Sequence, residues 1–555
     1  MTETGSTADL AFVNGAVYTM DAARRWATGV AVRRGEVVAV GSDREVSEHI
    51  GPATEIVDLA GRMLLPGFQD AHVHPVSAGL EMLRCDLNEG VTAPEYLAIV
   101  ATYGAEHPDE PWISGGGWSM DAFPGGTPSR QGLDEVAPDR PVFLHSRDGH
   151  SAWVNTRALE AAGITAATPD PPDGRIDRDP GGEPSGGLQE GAMRLVDRLL
   201  PAVSAAELGR GLRLAQAHLH ALGITAWQDA IVQADDAMPV YQTYVEAADR
   251  GDLTARVVGA LWWDRARELD QIEGFLELRA RAGDGRFRAT SVKIMQDGVC
   301  ENFTAAVLEP YLDGHGTPTE NRGISFVEPE LLNRAVTALD AEGFQVHVHA
   351  LAERAVREAL DAIQAALAAN GPTDNRHHLA HLQIVHPDDI PRFARLGVTA
   401  NVQPLWAAHE AQMDTLTIPF LGEPRWRWQY PFASLVRAGA MLAMGSDWSV
   451  SSPDPLEEMH VGVNRRMPDD YPHPIENHEV FLPDERLDLP TALAAFTIGS
   501  AYVNHLDHVT GSIEPGKRAD LAVLDRNLFD HPVERLSDAS VDQTFVDGIS
   551  VYERT

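Results

Sequence analysis

Two histidines, His72 and His74, stand two residues apart near the end of an apolar run that is broken by Pro66-Gly67. In an extended strand, residues i and i+2 point to the same face, so both imidazoles can converge on one point. Neutral imidazole nitrogens are ligands that a divalent transition metal such as zinc accepts. A His-x-His pair is also typical of two solvated side chains near a turn, so a metal site needs support from elsewhere in the chain.

A lysine gives part of that support. Lys293 lies among apolar neighbours, where an unpaired ammonium group is costly to bury. Only Lys293 and Lys517 are lysines among 44 basic residues, so a lysine in a strand indicates a need for its primary amine. A lysine amine can take up carbon dioxide to form a carbamate, which is a carboxylate able to bridge two metals. The alternative is a buried ion pair with an acid such as Asp297.

Histidines end two further apolar runs. Of the same-face pair His347 and His349, we predict His349 as a ligand because it lies closer to the end of its strand. In the next run we predict His381, which lies deepest, over His377 and His378. The histidines not chosen are expected in the core, in solvent or behind a ligand.

An aspartate, Asp447, ends the last apolar run of the series. The runs alternate with alanine-rich helical stretches, which is typical of a parallel α/β fold. Eight strands are predicted, at residues 67–74, 224–229, 255–261, 291–296, 345–350, 378–384, 398–403 and 441–447. Eight β/α units predict a TIM-like (β/α)8 barrel, whose chemistry lies at the carboxyl ends of its strands and whose last strand lies beside the first.

Short β segments at both ends of the chain, separated by glycine and Asn-Gly hairpin turns, predict one small β-sandwich built from both termini. We place its two parts at residues 1–64 and 501–555, and the barrel at 65–500. A long insertion after strand one, at about residues 80–210, is expected to form a subdomain over the active-site face.

Composition and net charge limit the classes of function that the chain can have. The 555 residues suffice for a large barrel with accessories, and 44 % hydrophobic residues are ordinary for a globular protein. A net charge of −38 speaks against nucleic acid or an anionic membrane surface as a partner. Two cysteines are too few for a disulfide framework, and no signal peptide or membrane span is evident. We expect a cytoplasmic protein that acts on a small molecule, with a homodimer as a plausible assembly.

The series His-x-His, Lys, His, His and Asp on strands one, four, five, six and eight resembles the amidohydrolase superfamily (amidohydrolase-3 type). Within it, the chain is similar to the branch of N-substituted formamide deformylases and exoenzyme-regulating amidohydrolases. Stretches at 141–155, 403–404, 445–450 and 510–521 also match that branch. The resemblance implies a barrel with a small β-sandwich, one or two divalent metals, and hydrolysis of C–N bonds other than peptide bonds.

The resemblance also implies how the ligands are shared. One metal would be held by His72, His74 and Asp447, the second by His349 and His381, and an N-carboxylated Lys293 would bridge the two zinc ions. We expect Asp447 to have a catalytic task as well, taking a proton from the attacking water and passing it to the departing amine.

Three residues are predicted to contact the substrate. They are Trp118 and His150 in the insertion and Trp406 after strand seven. For the first two, packing or hydrogen bonding within the insertion is an equal alternative. Aromatic side chains would suit an N-substituted amide, formamide or carbamate with an aromatic or alkyl part.

Three other classes of protein compete with this reading. A mononuclear deaminase of the same superfamily uses no bridging lysine, so Lys293 speaks against it. An ester, lactone or phosphoester hydrolase would use nearly the same ligands and stays open. A degenerate barrel that only binds or regulates would lack ligands, and all six proposed positions are present.

Overall fold

The computed structural model describes residues 7–234, 238–473 and 475–555. Its first elements are strands β1 (Leu10–Val13), β2 (Ala16–Tyr18), β3 (Trp26–Ala27), β4 (Gly29–Arg33), β5 (Glu36–Gly41), β6 (Glu55–Asp58) and β7 (Met63–Pro66), with helix α1 (Asp43–Ser47) after β5. The pair Asn14-Gly15 separates β1 from β2, and Asn14 has a φ of 58°. The two strands lie in different sheets and do not form a hairpin as the Asn-Gly pair predicted.

Strand β8 (Phe68–Val73) opens the barrel, and helix α2 (Pro75–Glu81) leads into the insertion. The insertion contains strands β9 (Cys85–Asp86), β10 (Ile113–Trp118), β11 (Val142–Ser146), β12 (Ser151–Val154), β13 (Gly174–Arg178) and β14 (Pro184–Glu190), and helices α3 (Ala93–Glu106), α4 (Arg130–Val136), α5 (Thr156–Ala162) and α6 (Arg194–Asp197). These strands form a sheet of their own. An apolar cluster joins the insertion to barrel loops at Val299, Leu351 and Ile384, so it covers the carboxyl ends of three strands.

The other barrel strands are β15 (Ile224–Val232), β16 (Arg256–Trp262), β17 (Phe287–Met295), β18 (Gln345–Ala350), β19 (His378–His381), β20 (Thr399–Val402) and β21 (Leu442–Met444). The helices around them are α7 (Ala205–Ala221), α8 (Val240–Arg250), α9 (Ile272–Ala282), α10 (Pro329–Ala341), α11 (Glu353–Asn370), α12 (Ile390–Leu396), α13 (Ile418–Leu421), α14 (Phe432–Arg437), α15 (Pro455–Asn464), α16 (Leu489–Ala494) and α17 (Ser500–Val503). Strands β8 and β15 to β21 pair in parallel in chain order, which confirms the predicted TIM-like barrel. Of the helices in the described ranges, none is long and apolar enough to cross a membrane.

Hydrogen bonds beyond the strand ends join strand eight to strand one. The backbone N–H of Asp447 donates to the carbonyl oxygen of His72 at 2.7 Å. The carboxylate of Asp70, fully buried in β8, accepts hydrogen bonds from the backbone and the hydroxyl of Ser446, the latter at 2.6 Å. These contacts hold Asp447 beside the histidines of strand one, as a closed barrel requires.

Strands β22 (Leu521–Leu524), β23 (Val541–Val546) and β24 (Ile549–Glu553) complete the sandwich. They form a six-stranded sheet with elements from the other end of the chain, in the order β24-β23-β22-β7-β2-β3. The second sheet has the order β5-β4-β1-β6. An apolar cluster between the sheets includes Phe12 and Phe545, whose ring centroids lie 5.1 Å apart. The sandwich is therefore built from both termini, as predicted.

A cluster of charges joins the sandwich to the barrel. Arg256, at the start of β16, donates to Asp520 at 2.7 Å and to Asp547 at 2.6 Å. Arg286 and Arg518 also contact Asp547. We expect Arg256→Met to lower the free energy of unfolding by about 3–5 kcal/mol, because it leaves the fully buried Asp520 without its partner. Denaturant unfolding followed by circular dichroism measures this loss.

The matched control is Arg250→Met, which removes an exposed arginine that pairs with Glu246 at the end of α8. An exposed pair of this kind contributes about 1 kcal/mol or less, so the control should unfold almost as the wild type does. Equal losses in the two variants would show that the charge cluster contributes no more than a surface pair.

Candidate metal centre and substrate cavity

Most of the predicted ligands meet at the carboxyl ends of the barrel strands. His72 Nε2 lies 3.1 Å and His74 Nε2 2.8 Å from Asp447 Oδ1. On the other side of this carboxylate, His381 Nδ1 lies 4.0 Å from Asp447 Oδ2. Lys293 Nζ lies 3.4 Å from His72 Nε2. The structure thus brings five of the six predicted ligands into one cluster.

The sixth, His349, lies at the edge of this cluster. Its ring centroid is 4.5 Å from that of His381 and 5.4 Å from that of His150. The alternative ion pair of Lys293 with Asp297 is not found between these two described residues. The Asp297 carboxylate accepts three backbone hydrogen bonds instead. Lys293 is therefore left facing the histidine cluster.

Two residues of the cluster have left-handed backbone conformations. The φ angle is 81° at His381 and 57° at Asp447. Residues other than glycine rarely adopt such angles, which cost about 1–3 kcal/mol and persist where the surrounding structure enforces them. Both residues lie where the chain leaves its barrel strand. The hydrogen bonds of Asp70 to Ser446 are one such enforcing contact, because they fix the backbone just before Asp447.

The cluster fits a divalent metal by its donor set and by an unpaired atom. One nitrogen each of His72 and His381 and one oxygen of Asp447 lie within 4.8 Å of one another, close enough to hold one ion. Among the described residues, His381 Nδ1 is buried without a hydrogen-bond partner, whereas His349 Nδ1 lies 3.3 Å from Asp297 Oδ1. Buried polar atoms are normally paired, so the unpaired nitrogen of His381 indicates a ligand. Imidazole nitrogen and carboxylate oxygen are both ligands that zinc accepts.

Burial sets the charges of the cluster. Burial and the nearby Lys293 lower the pKa of His72 to about 3, so its imidazole is neutral. Burial lowers the pKa of Lys293 to about 7, against the attraction of Asp447 and Asp229. The pKa of Asp447 lies well below its usual value, because the surrounding histidine cluster outweighs the effect of burial. Neutral imidazoles and an ionised carboxylate are the forms that bind metals.

His150 carries a positive charge beside this cluster. Its Nδ1 lies 2.9 Å from Oε1 of the buried Glu190. Burial opposes the charged form, but the attraction of Glu190 and Asp148 raises the pKa of His150 to about 9. The hydroxyl of Thr304 donates to the same Glu190 oxygen at 2.7 Å. The pair therefore places an imidazolium next to His349, although His150 is not among the described residues that line the substrate cavity.

A cavity of about 420 Å³ opens between the barrel and the insertion. Trp406 lines it and stacks on His381, with ring centroids 5.3 Å apart and ring planes at 15°. Its Nε1 donates to Ser451 Oγ at 3.1 Å. Further aromatic side chains on the wall are Tyr430, Trp448 and Tyr471. The cavity suits a small molecule with an aromatic or alkyl group.

Trp118 lies in the apolar core of the insertion. Its side chain is fully buried, and its Nε1 donates to the carbonyl oxygen of Leu144 at 2.8 Å. The ring packs against Phe123 and Trp153. Trp118 is not among the described residues that line the cavity. The structure therefore gives Trp118 the packing role that was the alternative to a substrate contact, because the end of β10 lies inside the apolar core of the insertion.

Three buried residues of the site were missing from the sequence prediction. Asp70 precedes the two histidines of strand one at the same spacing of two residues, so the pattern Asp-x-His-x-His could have revealed it. Gln228 and Glu190 contact histidines that are distant in the chain. No local pattern marks either residue, and only the fold brings them to the site.

The fold and the site define a barrel hydrolase, and the comparisons with known proteins agree. A model of the amidohydrolase family matches residues 55–552, so the chain belongs to the amidohydrolase family, as its motifs predicted. It is 33 % identical to the protein LONG AFTER FAR-RED 3 of Arabidopsis thaliana, over 99 % of this chain and 92 % of that protein. It is 28 % identical to the N-substituted formamide deformylase of Arthrobacter pascens, over 99 % of each chain.

A solved structure confirms the fold. An uncharacterized metal-dependent hydrolase from Pyrococcus horikoshii OT3 superposes with a TM-score of 0.72 at 24 % identity, over 93 % of this chain and 97 % of that chain. Such a likeness extends to the barrel, the insertion and the sandwich together, since it spans nearly the whole of both chains.

Proposed function

We propose that this hydrolase depends on a divalent metal and cleaves a non-peptide C–N bond in an N-substituted amide, formamide or carbamate. The observation that carries the proposal is the cluster of imidazoles, one lysine and one carboxylate beside an aromatic-walled cavity. Similarity to an N-substituted formamide deformylase supports the choice of bond.

The five residues of the cluster and the neighbouring His349 would divide between two metal positions. We assign one to His72, His74 and Asp447, the second to His349 and His381, and the bridge to a carbamate of Lys293. Zinc, when bound, would polarise the substrate carbonyl and acidify a water molecule. The lowered pKa of Lys293 leaves part of its amine neutral near pH 7. The neutral amine can add to the carbon of carbon dioxide and release a proton, which leaves the bridging carboxylate.

Asp447 moves the proton during hydrolysis. Its carboxylate takes a proton from the attacking water as the water oxygen bonds to the carbonyl carbon. It then gives this proton to the amide nitrogen as the C–N bond breaks, so that an amine leaves. We assign His150 to the substrate oxygen and Trp406 to the apolar substituent, from their places beside the cluster and on the cavity wall.

Metal removal and a panel of matched substrates test this proposal. We expect dialysis against a chelator to lower turnover to about 1 % of its initial value or less, because water without the metal regains its ordinary pKa. Added zinc should restore turnover. Elemental analysis gives the metal content per chain. The panel pairs an N-benzyl formamide with the acetamide, carbamate and ester of the same benzyl group.

Each outcome of this test has a clear meaning. Faster cleavage of the C–N substrates than of the ester supports the proposal. Cleavage of the ester alone would favour an esterase on the same site. Full turnover by protein that contains no metal would refute metal dependence.

A further inference from the structure

A line of buried hydrogen bonds runs from helix α17 to His72. We infer that this line fixes which nitrogen of His72 carries the hydrogen, so that Nε2 keeps a free lone pair for a metal. Gln228 and His347 are then positioning residues: neither is assigned to a metal, and both act through His72. This role rests on the proposed function, since it concerns a ligand of the proposed centre.

The line begins at backbone carbonyl groups. Gln345 Nε2 donates to the carbonyl oxygens of Val503 at 2.6 Å and of Arg376 at 2.9 Å. A carbonyl oxygen can only accept, so the amide nitrogen of Gln345 must face these two groups. Its Oε1 therefore points the other way, where it accepts from Gln228 Nε2 at 2.9 Å. The orientation of one side-chain amide sets that of the next.

The side-chain oxygen of Gln228 faces two histidines. Gln228 Oε1 lies 2.7 Å from His347 Nδ1 and 3.0 Å from His378 Nε2. The amide nitrogen is already directed at Gln345 and also lies 3.2 Å from Asn504 Oδ1, another acceptor. Because an amide oxygen only accepts, both facing ring nitrogens must carry hydrogen.

His347 passes this constraint to His72. His347 is fully buried, and no ion pair with an acid is found for it in the described part of the chain, so its imidazole is neutral. A neutral imidazole has one N–H, and Nδ1 already carries it. His347 Nε2 is therefore an acceptor, and it lies 2.8 Å from His72 Nδ1. His72 must donate from Nδ1.

The consequence appears at the other nitrogen of His72. With its hydrogen on Nδ1, a neutral His72 presents a lone pair at Nε2, which lies 3.1 Å from Asp447 Oδ1 and 3.4 Å from Lys293 Nζ. Two atoms with facing lone pairs repel unless a cation lies in contact with both. Without His347, His72 could move its hydrogen to Nε2 and donate it to Asp447. That hydrogen bond would occupy both ligands at once and compete with a metal.

The test is a cobalt(II) titration of metal-free protein, followed by the visible absorption of the bound ion. Removing a residue that orients a metal ligand typically costs about 10- to 100-fold in metal affinity, and we expect this loss for His347→Leu. His347→Gln offers an amide oxygen as an acceptor and should recover part of the affinity. Gln228→Leu, which touches no proposed ligand, should also weaken cobalt binding because it frees the hydrogen of His347.

The matched control is His378→Leu. His378 is as deeply buried as His347, contacts the same Gln228 oxygen, and has its ring centroid 4.0 Å from that of His347. We expect it to lower the thermal midpoint of the metal-free protein about as much, with little change in cobalt affinity. Equal affinity losses in His347→Leu and His378→Leu would overturn the inference and indicate a general packing effect.

Two further outcomes separate this inference from the proposed function. Wild-type protein that fails to bind cobalt would overturn the metal centre, and the role of His347 with it. Tight binding by the wild type and equally tight binding by His347→Leu and Gln228→Leu would overturn the role of His347 alone.

Discussion

Asp447→Asn should abolish turnover while most of the metal stays bound. The amide keeps the size of the carboxylate and one ligand oxygen, but it cannot accept the proton of water at neutral pH. General acid–base catalysis typically contributes about 10²- to 10⁴-fold to a rate. Because Asp447 serves both proton transfers, we expect kcat to fall by about 10⁴-fold, the upper end of this range. Steady-state kinetics and elemental analysis of the same preparation measure both quantities.

Asp340→Asn is the control for this variant. Asp340 is also a buried aspartate in contact with a histidine, with Oδ1 3.0 Å from His377 Nε2, but it lies beside the amino-terminal end of β19. The control should lower stability and leave kcat and metal content unchanged. If Asp447→Asn loses its metal and excess zinc restores turnover, Asp447 is a ligand without a role in proton transfer.

Lys293→Arg should lower both metal content and turnover. Arginine keeps the positive charge but cannot form a carbamate, and its guanidinium group would lie where a bridging anion is expected. We expect the metal content to fall from near two ions per chain to one or fewer. A second metal contributes several kcal/mol to stabilising the transition state, so kcat should fall by about 10³-fold.

The other lysine of the chain provides the control. Lys517 donates to Ser512 Oγ at 2.5 Å and to the carbonyl oxygen of Thr510, far from the cluster in the chain. Lys517→Arg makes the same chemical change and should leave metal content and kcat unchanged. Two metals per chain in Lys293→Arg would show that Lys293 is only a charge partner and that the bridge has another source.

The sequence predicts the barrel and much of the site because both depend on local periodicity. Five of the eight strands are apolar runs that carry a predicted ligand at or near the end, and barrel topology alone places Asp447 beside His72. The spacing does not separate His347 from His349, since both face the same way. Their roles differ in the structure because His347 lies against His72, whereas His349 lies beside His381 and His150.

Contacts made through the insertion could not be predicted in this way. His150 and Glu190 are 40 residues apart in the chain and meet only when β12 and β14 pair. Trp118 follows three glycines, a pattern that fits a mobile loop as well as the buried strand β10. Whether an aromatic side chain faces a cavity or a core depends on how the insertion packs. No periodic pattern in the sequence indicates this packing.

The sandwich made from both ends of the chain has a consequence for synthesis on the ribosome. Leu64 of β7 pairs with Val523 of β22. During synthesis, this edge of β7 therefore has no partner until more than 450 further residues have been added. At typical elongation rates this delay lasts about 20 to 90 seconds. Throughout it, β7 presents an open strand edge whose Met63, Leu64 and Leu65 side chains are fully buried in the finished protein. Nascent chains that stall before β22 should therefore aggregate through this edge, although nearly the whole barrel has already been made.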